Sequence, residues 1–300
     1  MWSEQGNVKN QVPSGHSGPS NSSAAALLSY DIPHRAPWDW RVSLYTFTKS
    51  ISSGAYLVPL LLGLSGMITW TNPVWTLLGP AVAMIFLLFT GALLVWDLDH
   101  PERFWMVLTR PQWRSWLVRG GFIITGYGGI LALHSGAVIG GRPEIAQSLS
   151  WVGGPLAAMT AIYTAYLFAQ AKARDLWQSP LLPPHLLVQA LLAGSATLIL
   201  LNPVELGVGA IWILQASLAV HLILALGEVS MPHPTAHAAL AARNMTKGAY
   251  AAFYWAGIVL TASALLLMST NVTIGALAGL AGLFLHEHAY VQAGQSVPLA

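Results

Sequence analysis

Apolar residues run through this chain in long blocks broken by short polar clusters. Eight blocks are long enough to cross a bilayer: Val42–Trp70, Leu77–Trp96, Trp116–Ile139, Trp151–Gln170, His185–Leu201, Leu206–Gly227, Ala249–Ser269 and Val272–Val291. A spanning helix needs about 20 largely apolar residues, because the hydrocarbon core is roughly 30 Å thick and each helical residue rises about 1.5 Å. The breaks carry helix-ending residues, as in Thr71-Asn72-Pro73 and Asn202-Pro203. Only Thr270 and Asn271 separate the last two blocks, so a re-entrant hairpin is the alternative there. A closed β-barrel would read as short alternating segments instead. The pattern predicts an all-α polytopic membrane bundle of about eight transmembrane helices, arranged as two four-helix bundles. Blocks two and four each open on a similar phrase, Gly79-Pro80-Ala81 and Gly154-Pro155-Leu156. Proline at a first helical position costs no hydrogen bond, so shared helix-start chemistry explains the likeness without an internal duplication.

Residues 1–40 are rich in Ser, Gly, Asn and Pro and read as a flexible tail ahead of an eight-helix domain over residues 41–300. No basic run leads into a short apolar stretch, so a cleaved signal peptide is not expected. Composition sharpens the class: only 8% of residues are charged and 55% are hydrophobic, against about 25% charged in soluble domains. The mean hydropathy is +0.57. A soluble enzyme and a nucleic-acid binder are thereby excluded. With no cysteine in the chain, disulfides and thiolate-held iron–sulfur or zinc centres are excluded too.

Charge is uneven across the predicted membrane. Eight spans put the tail, the second, fourth and sixth loops and the C-terminus on one face, which takes nearly every Lys and Arg; the opposite face holds Arg142. The positive-inside rule places both termini in the cytoplasm. A basic face built to dock a partner explains the same asymmetry, so the absolute orientation stays open. Seven charges of both signs fall between Asp97 and Arg119, among Trp105, Trp113 and Trp116. That content suits an ordered loop with internal ion pairs, and Asp97, Arg103, Trp105, Arg110, Arg114 and Arg119 are its candidate docking residues.

Ionisable groups inside spans are costly and hence functional candidates. Tyr45, Lys49, Ser52 and Tyr56 share one face of the first helix. Lys49 either turns inward or snorkels to the interface. Tyr163 in the fourth helix and His221 in the sixth fall at a similar depth, while Asp97 and Glu228 end helices on the same side. One shared cavity among Lys49, Tyr163 and His221 would have apolar walls and a few donors, which suits a quinone ring and its two carbonyls. Asp97, His221 and Glu228 are candidate proton-relay groups. Haem would need paired histidines at one depth, and His221 with His286 is the one geometric possibility. His100, His185, His233 and His237 read as solvated loop or helix-end residues, and no metal site is expected.

The stretch Asp97-Leu98-Asp99-His100-Pro101-Glu102-Arg103-Phe104-Trp105, followed by Ser115-Trp116 and Arg119-Gly120, resembles the NrfD/PsrC-like membrane subunits of polysulfide and nitrite reductase-type complexes. Further likeness lies in Ser53-Gly54-Ala55, Tyr163-Thr164, the run Trp177-Gln178-Ser179-Pro180-Leu181-Leu182-Pro183 and the closing Ala293-Gly294-Gln295. The resemblance implies a multi-pass subunit of a prokaryotic cytoplasmic membrane that exchanges electrons between menaquinone or ubiquinone and a docked ferredoxin-like iron–sulfur subunit. A molybdopterin catalytic subunit would lie beyond, and the chain itself would hold no haem or iron–sulfur cluster. It carries the quinone role onto Tyr45, Thr46, Lys49 and Tyr163. The chain departs from the family pattern at His286-Glu287-His288, where many members have Arg. A purely structural anchor and a transporter-like subunit are the rival expectations.

Overall fold

The computed structural model describes residues 38–171, 174–201 and 203–297. The expected tail therefore lies, apart from its last three residues, outside the described part. Helix α1, Trp40–Leu64, starts beneath Asp39, whose side chain accepts from the Arg41 backbone N–H. It ends six residues short of the expected Trp70, because Gly66 turns the chain at a φ of 74° that favours glycine. A π-helical turn capped by Asn72 opens α2, Val74–Trp96. Next come α3, Trp116–Ile139, and α4, Pro143–Ala169. The second bundle is built from α5, Leu182–Leu201, and α6, Pro203–Ser230, the latter broken at Gly207 with φ 60°. The chain then runs through α7, Ala236–Lys247, α8, Ala251–Leu267, and α9, Val272–Gln295.

Seven of these helices are each long and apolar enough to cross a membrane, and α7 with α8, bent by 69°, supplies an eighth if the pair is one span. The polar limb is α7, with Arg243 and Lys247. The apolar limb, α8, matches the seventh expected block; its 17 residues reach about 25 Å at 1.5 Å each. The expected eight-helix bundle is thus met with one short span.

Helix α4 corrects the expected start at Trp151. It begins at Pro143, a first-turn proline, and carries Pro155 in its interior. The Gly153-Gly154-Pro155 phrase is a packing device: a Cβ on Gly153 would overlap the Tyr56 ring, and one on Gly154 would press on Leu60. The small residues let α1 lie close against α4, which decides in favour of packing over helix-start chemistry.

Contacts divide the helices into two rings. In the first, α1 packs on α2 and α4, and α3 packs on the same two; in the second, α5 packs on α6 and α9, and α8 packs on the same two. The rings meet where α1 lies along α5 and α9 and α4 touches α5. At that seam Gly54 faces Ala190 and Gly194 so closely that a Cβ on either glycine would collide with backbone. Without a hydrophobic driving force in lipid, such backbone contact is what holds helices together. This explains Ser53-Gly54-Ala55 in α1, whose buried face then receives helices from both rings.

Candidate functional site

Tyr163, toward the loop-two end of α4, is held from two directions. Tyr45 of α1 donates its hydroxyl hydrogen to Tyr163 Oη at 2.7 Å and lies 2.5 Å from Thr164 Oγ1. Gly120 at the start of α3 gives the Tyr163 ring its place, since a Cβ there would enter the ring. One turn along α1, Lys49 is fully buried; its Nζ donates to the Ala161 carbonyl at 2.5 Å. The ammonium stands 5.5 Å from the Tyr163 ring centre and 6.0 Å from that of Tyr45, within cation–π range. Of the two readings for Lys49, the inward one holds.

A cavity of about 820 Å³ lies between α2 and α3 with Tyr163 in its inner wall. Leu87, Leu94, Val95, Ile124 and Gly128 make its apolar sides. The rim includes the exposed Leu88, Trp96 and Leu108 on the outer, lipid-facing side of the bundle. A second cavity of about 200 Å³ is lined by Tyr45, Arg41, Asp97 and Trp38. Both cavities share Leu94, Leu98 and Leu117, so the Tyr45–Tyr163 hydrogen bond joins a residue lining the slot to one lining a smaller vestibule that also holds Arg41 and Asp97.

The expected single cavity joining Lys49, Tyr163 and His221 is not what the chain builds. His221 belongs to the second ring, where its Nδ1 lies 2.8 Å from His185 Nε2 and its ring centre 4.7 Å from that of His286. The His221 and His286 rings stand edge to face at that spacing. Thr46 is also turned away from Tyr163. One residue on from Tyr45, it is rotated about 100° round the helix, and its hydroxyl reaches the Ser43 carbonyl at 2.8 Å and Glu287 at 3.3 Å. Ser50 adds a 3.4 Å hydrogen bond to Glu287. Glu287 is the buried carboxylate whose charge acts on Lys49. His185 and His237, expected to be solvated, are buried. His185 was misplaced because the expected helix started at it, whereas α5 starts a turn earlier at Leu182.

The proton-relay candidates do not form one chain. Asp97 pairs with Arg41 Nη2 at 3.6 Å at the vestibule mouth. Glu228 accepts from the Tyr290 hydroxyl at 3.5 Å in the second ring. Among the described residues no hydrogen bond or ion pair links Asp97, His221 and Glu228 to one another. Burial pushes the Asp97 carboxyl above its ordinary range, with Arg41 pulling partly against it.

Loop two is ordered and exposed, as expected. Arg41 Nε holds Asp39 at 2.9 Å, and its Nη1 donates to the Trp96 carbonyl at 2.9 Å. Glu102 lies between His100 at 3.2 Å and Arg103 at 3.8 Å. Trp105 Nε1 donates to the Glu102 carbonyl at 3.1 Å. Arg119 donates to the Trp113 carbonyl at 2.7 Å and lies 4.9 Å from the Trp116 ring centre. Gln170 at the end of α4 accepts from the Trp116 N–H at 2.7 Å and donates to the Arg114 carbonyl at 2.8 Å, tying loop to bundle. Arg103, Arg110, Arg114 and Arg119 all remain exposed, as do Phe104, Trp105 and Trp113. Each such surface pair is worth little to stability, so the cationic and aromatic surface is available for contact.

The closing motif does a structural job. The Gln295 side chain accepts from the Trp38 N–H at 3.0 Å and donates to the Trp38 carbonyl. Arg174 donates to the carbonyls of Gln295 and Val297 at 2.8 and 2.6 Å. Trp38 stacks on Trp177 at 4.9 Å, and Gly294 leaves space for the Trp177 indole. Two buried groups were not placed by the sequence reading: Glu287 and the triad of His185, His221 and His286. The signal for Glu287 was an acid inside an apolar helix. The signal for the triad was three histidines at the docking-side ends of α5, α6 and α9. Comparison with known proteins gives a match to the family described as polysulphide reductase, NrfD, over residues 30–298. No curated protein matches the chain.

Proposed function

Because the chain belongs to the NrfD family, whose members are membrane subunits of reductase complexes, we propose that it is the quinone-handling subunit of such a complex. Quinone or quinol would enter the slot between α2 and α3 from the lipid. The observation that carries this reading is the 820 Å³ apolar cavity with Tyr163 in its wall, directly under the exposed Trp–Arg loop. Its size falls in the range of about 300–1,000 Å³ that ligand pockets occupy, and its walls are almost wholly apolar. A quinol there supplies two electrons and two protons.

The chain's own residues divide the work. The Tyr163 hydroxyl, held by Tyr45, is the hydrogen-bonding group at the ring end of the slot, and Lys49 fixes the two tyrosine rings from behind. Thr46 and His221, turned elsewhere, have no part in the slot. Asp97, at the vestibule mouth with its raised pKa, exchanges protons with water; His221 and Glu228 have no route to the slot. Arg103, Trp105, Arg110, Arg114 and Arg119 present the face on which a ferredoxin-like iron–sulfur subunit docks, with a molybdopterin subunit beyond it. The membrane is the cytoplasmic one of a prokaryote. The structural-anchor reading would leave the lined slot unused, and a transporter would place its site near the midplane in broken helices. Tyr163→Phe keeps the ring and removes the hydroxyl. It is expected to lower quinol turnover about tenfold or more with the complex intact by size-exclusion chromatography. Unchanged turnover would remove Tyr163 from the site.

A further inference from the structure

We propose that His185, His221 and His286 form a transition-metal site that joins α5, α6 and α9 and takes an ion of the zinc or copper kind. The three residues come from three helices of the second ring, and all are buried. One ligand nitrogen from each lies within 4.8 Å of the others. Bonds of about 2.0–2.1 Å would draw them to roughly 3.3 Å in a tetrahedral shell, a closure that small side-chain rotations supply.

The hydrogen bonding of the triad is unfinished, and an ion would relieve part of that deficit. A neutral imidazole has one donor and one acceptor nitrogen. The 2.8 Å contact uses His185 Nε2 and His221 Nδ1, which leaves His221 Nε2 without a partner, and His286 Nδ1 has none either. Each orphaned buried group costs about 1–3 kcal/mol. A relay of protons through the triad would need a partner at each nitrogen, and these two lack one. Imidazole donors without thiolate or carboxylate suit zinc and copper.

Polar groups also stand beside the triad. A cavity of about 20 Å³ adjoins the triad, lined by His185, His286, Gln189 and Glu287. That volume holds one water, which needs about 10–15 Å³, and so leaves a fourth ligand position. Gln189 Oε1 is buried and unpartnered, ready to accept from a metal-bound water. Glu287 adds a buried carboxyl group to the wall of the same cavity.

The test is the metal content of the intact complex, purified in detergent without chelator. Zinc and copper are counted by mass spectrometry, since neither is supplied by iron–sulfur or molybdopterin partners. About one equivalent per chain is expected, either as purified or after chelator stripping and reloading with Zn²⁺ or Cu²⁺. X-ray absorption at the edge of the retained metal should show an imidazole shell. His221→Gln and His185→Gln should each lower retention at least tenfold in complex that still elutes as one species. Should these variants not assemble, the absorption spectrum of the wild-type complex decides alone. Less than a tenth of an equivalent after reloading, a spectrum without imidazole ligands, or full retention in the double variant would overturn the proposal. None of these readouts depends on quinone turnover.

Discussion

Lys49→Met is expected to destabilise the protein by about 1–3 kcal/mol, the usual cost of leaving a buried hydrogen-bonding group without its partner, here the Ala161 carbonyl that Lys49 Nζ reaches at 2.5 Å. Lys49 is wholly buried between α1 and α4, and Glu287 of α9 is the buried acid whose charge acts on it. Deleting the ammonium leaves Glu287 with two hydroxyl hydrogen bonds, from Thr46 and Ser50 at 3.3 and 3.4 Å, too long to replace a counter-charge. It also removes the cation behind the Tyr45 and Tyr163 rings. Thermal unfolding of the detergent-solubilised complex checks the size of the loss. In the double variant Lys49→Met, Glu287→Gln the loss should be smaller than the sum of the two single losses if the two buried groups are coupled. Simple additivity of the two single losses would show that the groups do not act as a pair.

Gly91→Phe is expected to raise the KM for quinol at least tenfold while leaving stability nearly unchanged. Gly91 lines the large cavity, and no atom stands within 4 Å of the position its Cβ would take. The new ring would therefore fill the slot and not the protein core. Replacing a helical glycine also regains about 0.5 kcal/mol of backbone propensity. Gly129→Phe is the control, since it too meets open space but lies outside the cavity wall. Equal effects of the two substitutions on KM would argue that bulk anywhere on these helices disturbs the enzyme. A KM change confined to Gly91→Phe would place the quinol in the slot.

Hydropathy alone located the helices to within a few residues, because a span in lipid has to satisfy its own backbone and be apolar for about 20 residues. It misjudged α1 and α4 at their ends. Gly66 can stop a helix only through its φ, and Gly153-Gly154-Pro155 resembles a start phrase although its purpose is contact with Tyr56 and Leu60. The helical face Tyr45–Lys49–Ser52–Tyr56 was legible from spacing. Which neighbour each residue met was not, since spacing gives a direction on one helix and says nothing about how far another helix is rotated. That is why Tyr163 joined Tyr45 as expected, while His221, at the expected depth, faced His185 and His286 in the other ring. Glu287 is likewise a group whose meaning depends on Lys49 lying opposite.

Photolabelling of the intact complex with a short-chain azidoquinone, followed by peptide mapping, tests the quinone slot most directly. Label is expected on the α2 stretch Leu87–Leu98 and on α3 between Leu117 and Gly128, with loss of label when excess unlabelled quinol is present. Label confined to α5, α6 or α9, or label that excess quinol does not suppress, would contradict a quinone site between α2 and α3.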